Sequence, residues 1–258
     1  MYFYPYRVGS SFLWCGMKNK ILIGIPAYGG SIKTATFRSL MRDCLLLMAN
    51  GYEIEIIDGI SGAEIDTIRN KIVSRLVADE TASDLIFVDS DVCWDSGDLL
   101  RLMAANIDRN RDIVAGVYAK KSRPIEYPFS PALDDHGNWI YDPDNGLIEC
   151  HHVPSGFMRI PRGTAVRLAN EYKELEYRGL WGSQETKNYP VYGLFEKRWS
   201  YDEVSGLRSR ASEDVSFCWR VTDQGGSVYA HPDIGMGHIG DTQFTGAICP
   251  ERQRAKLG

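Results

Sequence analysis

The 258-residue sequence has no Cys-x-x-Cys pair, no long apolar run and no excess of positive charge. Its six cysteines are scattered, several of them in apolar stretches, which favours buried free thiols in a reducing compartment over a disulfide framework. No window reaches the roughly 20 apolar residues that a membrane-spanning helix needs. The net charge of −5 disfavours a dedicated non-specific DNA or membrane binder, although it leaves room for a local basic groove. These absences together predict a soluble, cytoplasmic protein.

The sequence also lacks internal repeats and low-complexity tracts. Residues 1–16 are rich in aromatics but lack the basic start and continuous apolar core of a signal peptide. Because Met17 begins a segment typical of a natural first strand, we interpret them either as an N-terminal extension or as the result of an upstream start codon wrongly chosen. Residues 17–258 are predicted to form one domain, since a chain of this length can bury a full core.

Strands and helices alternate over the first half of the chain. The predicted strands are ILIGIPAY, EIEIID, DLIFVDSD and DIVAGVYA, and the helices between them are TATFRSLMRDCLLLMANG, AEIDTIRNKIVSRLVAD and DSGDLLRLMAAN. In the second helix, isoleucine and leucine recur at helical spacing. This alternation predicts an α/β fold with a mostly parallel sheet and helices on both faces. After Lys121 the chain becomes rich in proline, aspartate and aromatics, which indicates a loop-rich region.

Two aspartates follow the third predicted strand, in LIFVDSDVCW. Asp89 and Asp91 are expected beyond the carboxyl end of that strand, where open parallel sheets bind their ligands. Two like charges so close together repel each other, and a divalent cation bridging phosphates is one remedy. The alternative is a turn whose aspartates cap the helix after Trp94, although Asp95 and Asp98 already suit its first turn.

Five segments in register resemble glycosyltransferases of the A-type (GT-A) fold. They are IPAY in strand one, IRN on the helix after strand two, FVDSD in strand three, GF after a long segment, and SED opening a late helix. The likeness covers about residues 18–245 and is closest to the inverting family 2 and to small related enzymes common in bacteriophage genomes. It implies a Rossmann-like mostly parallel sheet, with residues 17–121 binding a nucleotide sugar and residues 122–258 forming a loop-rich acceptor-binding half.

The resemblance assigns most donor-site roles to the first half of the chain. It implies contacts with a nucleotide-diphosphate sugar, UDP-hexose by the family's habits, from Pro26, Ala27, Tyr28, Asp58, Arg69, Asn70, Asp89 and Ser90. Asp91 is the implied principal ligand of Mn²⁺ or Mg²⁺, with Asp89 beside it. Such an ion neutralises the diphosphate leaving group. His238, between glycines in GMGHIG, is either the third metal ligand or a structural histidine.

The late SED segment carries the implied catalytic carboxylates. Asp214 matches the general base that deprotonates the acceptor hydroxyl in inverting relatives, and Glu213 would contact the acceptor or cap the helix. The alternative is that both carboxylates only interact with the helix dipole, behind Ser212 as N-cap. The resemblance further places Gly156 and Phe157 at the acceptor floor, and Trp181 is a candidate for stacking on the acceptor.

The acceptor stays open between two classes. One is a hydroxymethylated pyrimidine in phage DNA, flipped out of the duplex, and the other is a glycan. Four basic residues near the presumed base are compatible with an acceptor that carries phosphate: Lys197, Arg198, Arg208 and Arg210.

Three other classes compete for the same residues. FVDSDV also fits the start of haloacid-dehalogenase-type phosphatases, with Asp89 as nucleophile, but that aspartate normally ends the first strand of the core. A non-catalytic sugar- or nucleotide-binding module has no need for Asp214. A nucleotide-sugar pyrophosphorylase begins with a Gly-rich loop, of which IPAYGGSIKT is a poor version.

Overall fold

The computed structural model describes residues 19–57, 64–178, 189–201 and 204–249. Its helices are α1 (Thr34–Ala49), α2 (Ile65–Ala78), α3 (Asp98–Ala104), α4 (Arg162–Glu171) and α5 (Glu213–Asp223), with 3₁₀ turns at Tyr28–Gly30 and Lys173–Leu175. Its strands are β1 (Lys20–Gly24), β2 (Glu53–Ile57), β3 (Ala82–Val88), β4 (Val92–Trp94), β5 (Ile113–Ala115), β6 (Ser130–Pro131), β7 (Ile148–His152), β8 (Phe157–Pro161), β9 (Glu176–Tyr177), β10 (Val191–Tyr192), β11 (Trp199–Tyr201), β12 (Arg208–Arg210), β13 (Val228–Ala230), β14 (Met236–Ile239) and β15 (Gln243–Gly246).

Eight strands form the central sheet, in the order β2-β1-β3-β8-β5-β13-β7-β6. Strand β1 pairs in parallel with β2 and β3, and β13 pairs in parallel with β5. Strand β8 runs antiparallel between β3 and β5, and β7 runs antiparallel between β13 and β6. Six of the eight strands therefore point in one direction, which confirms the predicted mostly parallel α/β sheet.

The sheet is covered on both faces by separate apolar clusters. Helices α2, α4 and α5 contribute to one cluster, and α1 and α3 contribute to the other. Strand β3 alternates between them: Leu85 and Phe87 face the first cluster, whereas Ile86 and Val88 face the second. This strict period of two explains why the strand is continuously apolar in sequence, since both of its faces are buried.

A small second sheet follows the two aspartates directly. Strand β4 pairs with β14, which in turn pairs with β15, so that Val92 lies opposite His238. The sequence reading had a turn and then a helix after Trp94, without this strand. The turn at residues 89–91 therefore connects the central sheet to the small sheet.

The N-terminus of helix α3 is capped by a side chain from helix α1. The Asp43 carboxylate accepts hydrogen bonds from the backbone amides of Gly97 and Leu99, each at 3.1 Å. Asp98 does lie in the first turn, where it pairs with Arg101, but the expected role of Asp95 as a first-turn residue is wrong because α3 begins after it. Since Asp43 supplies the cap, the two aspartates after β3 are not the capping residues of this helix.

The described cysteines agree with the expectation of free thiols. Cys44, Cys93, Cys150, Cys218 and Cys249 are all free. Burial raises the pKa of the Cys44 thiol to about 11, so it stays protonated at neutral pH. In the part of the chain that the structure describes, no helix combines the length and the apolar character needed to cross a bilayer.

Candidate active site

The turn after β3 is fixed by backbone hydrogen bonds from two directions. The Asp89 amide donates to the Gly156 carbonyl at 2.8 Å, and the Lys33 amide donates to the Ser90 carbonyl at 2.8 Å. The first bond links the turn to Gly156, directly before β8, and the second links it to the loop that precedes α1. This turn therefore lies at the carboxyl edge of the sheet, where parallel α/β folds place their ligand sites.

Both carboxylate oxygens of Asp89 are engaged by neighbouring side chains. Arg69 Nη2 donates to Oδ1 at 3.0 Å, and the Tyr118 hydroxyl donates to Oδ2 at 3.2 Å. A Cβ at residue 156 would overlap Asp89 Oδ2 and the Tyr118 hydroxyl, so the close approach requires glycine there. Gly156 thus lies against Asp89, and its predicted place at the acceptor floor stays a prediction.

Arg69 links Asp89, in the turn after β3, to helix α5. Its side chain is 4% exposed, its Nε lies 3.8 Å from Glu213 Oε1, and its guanidinium lies 5.4 Å from the centre of the Phe87 ring. Burial alone would lower the pKa of Arg69, but the charges of Asp89 and Glu213 raise it, and the net shift is upward. Two segments that are far apart in sequence therefore share one buried cation.

Glu213 and Asp214 occupy the first turn of α5, where the helix dipole favours negative charge. Burial raises the pKa of Glu213, and the adjacent charge of Asp214 adds to the shift, while Arg69 opposes it. The expected side-chain cap by Ser212 is absent: Ser212 holds the N-cap position, but its hydroxyl bonds to the Asp214 carboxylate. The charge of Asp214 also contributes to the raised pKa of Tyr118, which places it near the same site.

Asp91 and His238 meet across the small sheet. His238 Nε2 lies 3.4 Å from Asp91 Oδ1, and the Lys121 ammonium pairs with Oδ2. Burial opposes ionisation of Asp91, but His238 and Lys121 outweigh it and lower its pKa to about 2. The carboxylate is therefore charged throughout the neutral range.

The His238 ring is oriented by its second nitrogen. Nδ1 lies 2.9 Å from the Ala119 carbonyl, and the ring packs edge-on against Tyr118 at 4.9 Å. Because a carbonyl only accepts, Nδ1 donates in this bond, and Nε2 is the ring nitrogen that faces Asp91. A backbone carbonyl behind a histidine is the common arrangement for metal-ligating imidazoles.

The donor set at this point fits a divalent cation. One carboxylate and one imidazole suit Mn²⁺ better than Mg²⁺, which prefers oxygen ligands alone. Asp89, the other carboxylate predicted to bind the metal, is instead bound to Arg69 and Tyr118. Among the described residues no group of three potential ligands forms a metal cluster, so the structure brings two of the three predicted ligands together.

Other predicted site residues face inward or lie in the loop after β1. Asn70 is 2% exposed, and its Oδ1 accepts a hydrogen bond from the Phe195 amide at 2.7 Å. It therefore positions the segment around Phe195. Phe157 is fully buried and packs on Trp94, with ring centres 4.8 Å apart, so it is a core residue and not an exposed floor. Pro26 is buried and Ala27 half-buried in the loop before α1. Outside the described residues lie Asp58, Trp181, residues 1–16 and the side chain of Tyr28.

Two residues at this site were missed by the sequence reading, Tyr118 and Lys121. Both follow β5, at the same edge of the sheet as the aspartates, and they bind Asp89 and Asp91 respectively. The sequence feature that could have identified them is a hydroxyl and an ammonium group at the end of the predicted strand DIVAGVYA.

A cavity of about 830 Å³ lies on the other face of the small sheet. Gly237, Cys93 and Gln243 face it, and the alternation along β14 directs His238 away from it. Neither Asp91 nor Asp214 lines this cavity. The candidate site is therefore defined by converging charges and not by cavity size.

No family model matches the chain, and no curated protein matches it. Among solved structures, it is similar to A197 from STIV, at 16% identity and a TM-score of 0.49, over 91% of this chain and 92% of that one. It is also similar to GalNAc-T7 with UDP, GalNAc and Mn²⁺, at 11% identity and a TM-score of 0.42, over 87% of this chain and 44% of that one.

Proposed function

We propose that the protein is a metal-dependent inverting glycosyltransferase that moves a sugar from a nucleotide-diphosphate sugar to an acceptor hydroxyl. The observation that carries this proposal is the link through Arg69, which joins Asp89 at the end of β3 to Glu213 at the start of α5. Sugar transfer needs a donor site for a diphosphate next to a base for the acceptor. A buried guanidinium that contacts both acidic segments supports a site in which these two parts are adjacent.

On the donor side, each residue has a role that its contacts support. Asp89 is held by Arg69 and Tyr118, which suits a carboxylate that accepts hydrogen bonds from a ribose. Asp91 and His238 would hold Mn²⁺ or Mg²⁺, and such an ion would neutralise the diphosphate leaving group. A UDP-hexose is the donor that the sequence resemblance implies.

On the acceptor side, Asp214 would accept the proton of the attacking hydroxyl. It lies in the first turn of α5, and its carboxylate accepts a hydrogen bond from the Ser212 hydroxyl. Attack by the acceptor in one displacement, without a protein nucleophile, inverts the sugar carbon. Acceptors of both classes, a hydroxymethylpyrimidine in DNA and a glycan, carry such a hydroxyl.

The phosphatase alternative receives no support from a specific observation. It requires Asp89 as a nucleophile at the end of the first strand of the core. Asp89 instead follows the third strand of the chain, after two strand–helix units.

The test is release of nucleoside diphosphate from a panel of nucleotide sugars, with Mn²⁺ and with chelator. We expect the unaltered protein to hydrolyse one donor with Mn²⁺. We expect Asp91→Ala and His238→Ala each to lower this rate more than roughly 100-fold, because each variant lacks one proposed metal ligand. Asp95→Ala is the matched control, because this exposed carboxylate lies four residues from Asp91 and outside the site. Turnover unchanged in Asp91→Ala contradicts the proposal, and phosphatase activity that needs Asp89 replaces it.

A further inference from the structure

An exposed β-ribbon leads directly into the helix that carries the proposed base. Strands β11 and β12 form a two-stranded antiparallel sheet, and only Ala211 and Ser212 separate β12 from Glu213. All three residues of each strand are exposed. A pair of strands this short gains little stability by itself, so burial in the core does not explain its composition.

One face of the ribbon combines aromatic rings with arginines. Directly opposed residues share a face, and the opposed pairs are Trp199 with Arg210 and Tyr201 with Arg208. We call these four residues the aromatic–arginine face. Trp199 is 57% exposed and Tyr201 is 63% exposed, although large aromatic side chains normally seek burial. The opposite face carries Ser200 with Ser209.

The two arginines of this face are held by the ring and not by carboxylates. The Arg208 guanidinium lies 4.7 Å from the centre of the Trp199 ring, and that of Arg210 lies 5.8 Å from it. Neither arginine forms an ion pair with a residue that the structure describes. By contrast, the preceding Lys197 pairs with Asp66 and Arg198 with Asp223. Within residues 197–210, the two ribbon arginines are therefore the cations without a carboxylate partner among the described residues; Asp202 and Glu203, between β11 and β12 in sequence, lie outside those residues.

We propose that the aromatic–arginine face binds single-stranded nucleic acid and presents an acceptor nucleotide to Asp214; this inference rests on the proposed function. Aromatic rings stack on unpaired bases of any sequence, and arginines beside them neutralise phosphates. Unpaired nucleotides supply both groups, a base for each ring and a phosphate for each arginine, whereas a neutral glycan supplies no anion for the arginines. The acceptor base must leave the duplex stack to reach a catalytic carboxylate, and exposed rings that stack on bases favour an unpaired strand over a base flipped from a duplex.

The net charge of −5 gives the protein no general attraction for phosphates, so binding depends on the local charge of the ribbon. Two phosphates neutralised on a single strand give a slope of log K against log salt of about −1.4, and removal of one arginine reduces it to about −0.7. Loss of one stacked base weakens binding by roughly 5- to 150-fold. The change in affinity therefore reports the contribution of the Trp199 ring, and the change in salt slope reports the contribution of each arginine.

The experiment is a fluorescence-anisotropy titration of a short dye-labelled single-stranded oligodeoxynucleotide at several salt concentrations. We expect binding by the full chain, loss of half the salt slope in Arg208→Gln and in Arg210→Gln, and weaker binding in Trp199→Ala. Since Trp199 is exposed, its replacement leaves the core intact, which circular dichroism checks. Arg111→Gln is the matched control, because this exposed arginine lies at the amino end of β5, away from the site.

An abasic oligonucleotide of the same length, a duplex and heparin are titrated in parallel. Equal affinity for the abasic strand or heparin overturns the stacking role, and equal affinity for the duplex overturns the preference for an unpaired strand. Absence of oligonucleotide binding, or an unchanged affinity in Trp199→Ala, overturns the proposal as a whole. Donor hydrolysis by the unaltered protein is measured without oligonucleotide, so a failure of the proposed function is recognised separately.

Discussion

Replacing Arg69 by methionine tests whether one buried guanidinium holds the two acidic segments together. Arg69 is 4% exposed, while the carboxylates it contacts, Asp89 and Glu213, are 21% and 16% exposed. Removing one partner of a buried ion pair costs about 3–5 kcal/mol, because a charge is left without compensation. Methionine preserves most of the volume, so the expected loss arises mainly from charge. A domain of ordinary stability, about 5–15 kcal/mol, remains folded after this loss.

The deficit of Arg69→Met should depend on pH in a defined direction. Burial and Asp214 already raise the pKa of Glu213, and Arg69 opposes them. Without Arg69 the pKa of Glu213 in the folded protein rises further above its value in the unfolded chain. The folded state then binds the proton first, so the variant gains stability relative to the parent as pH falls through that window. We expect a smaller deficit at pH 5 than at pH 7.5.

The assay is urea denaturation of the variant and two controls at both pH values. Arg69→Lys retains a positive charge and should recover part of the loss. Arg75→Met is the matched control on the same helix: its side chain is 37% exposed and pairs with Glu55 at 3.4 Å, so it should cost less than about 1 kcal/mol. A deficit for Arg69→Met no larger than that of Arg75→Met, or one that does not change with pH, refutes the reasoning.

Three further predictions concern the same site. Gly156→Ala places a methyl group against Asp89 and should cost about 1–3 kcal/mol in urea denaturation, with weaker nucleotide-sugar binding by calorimetry; an unchanged stability shows that the close approach is relieved without cost. Tyr118→Phe removes the hydrogen bond to Asp89 at nearly constant shape and should cost about 1 kcal/mol, whereas a neutral effect in denaturation argues against that bond. Asp214→Asn should abolish sugar transfer while donor affinity stays within twofold, and transfer at the parental rate contradicts its role as base.

The periodicity of the sequence was enough to predict the framework of the fold. In α2 the buried residues Ile68, Ile72 and Leu76 recur at helical spacing, and the continuous apolar run of β3 is explained by burial on both faces. The direction of a strand leaves no such pattern. The antiparallel position of β8, for example, depends on the long connections before it.

At the site, the rule that ligands lie at the carboxyl ends of strands identified Asp89 and Asp91, and the same rule applied to the next strand would have found Tyr118. The orientation of Asn70 could not be predicted. It faces inward because the segment at residues 191–195 covers α2, where Asn70 and Ser74 accept amide hydrogen bonds from Phe195 and Tyr192. A sequence shows which residues share a helix face, but it does not show which distant segment covers that face.

The pairing of β4 with β14 ties the site to the order in which the chain is synthesised. Asp91 leaves the ribosome 147 residues before His238, and β4 then lacks the strand that later pairs with it. Until β14 is complete, Asp91 has no imidazole beside it and the edge of β4 is open. A nascent chain can therefore form β1 to β3 well before both residues proposed to hold the metal have been made. Competence for the proposed reaction is acquired only once residue 238 has left the ribosome.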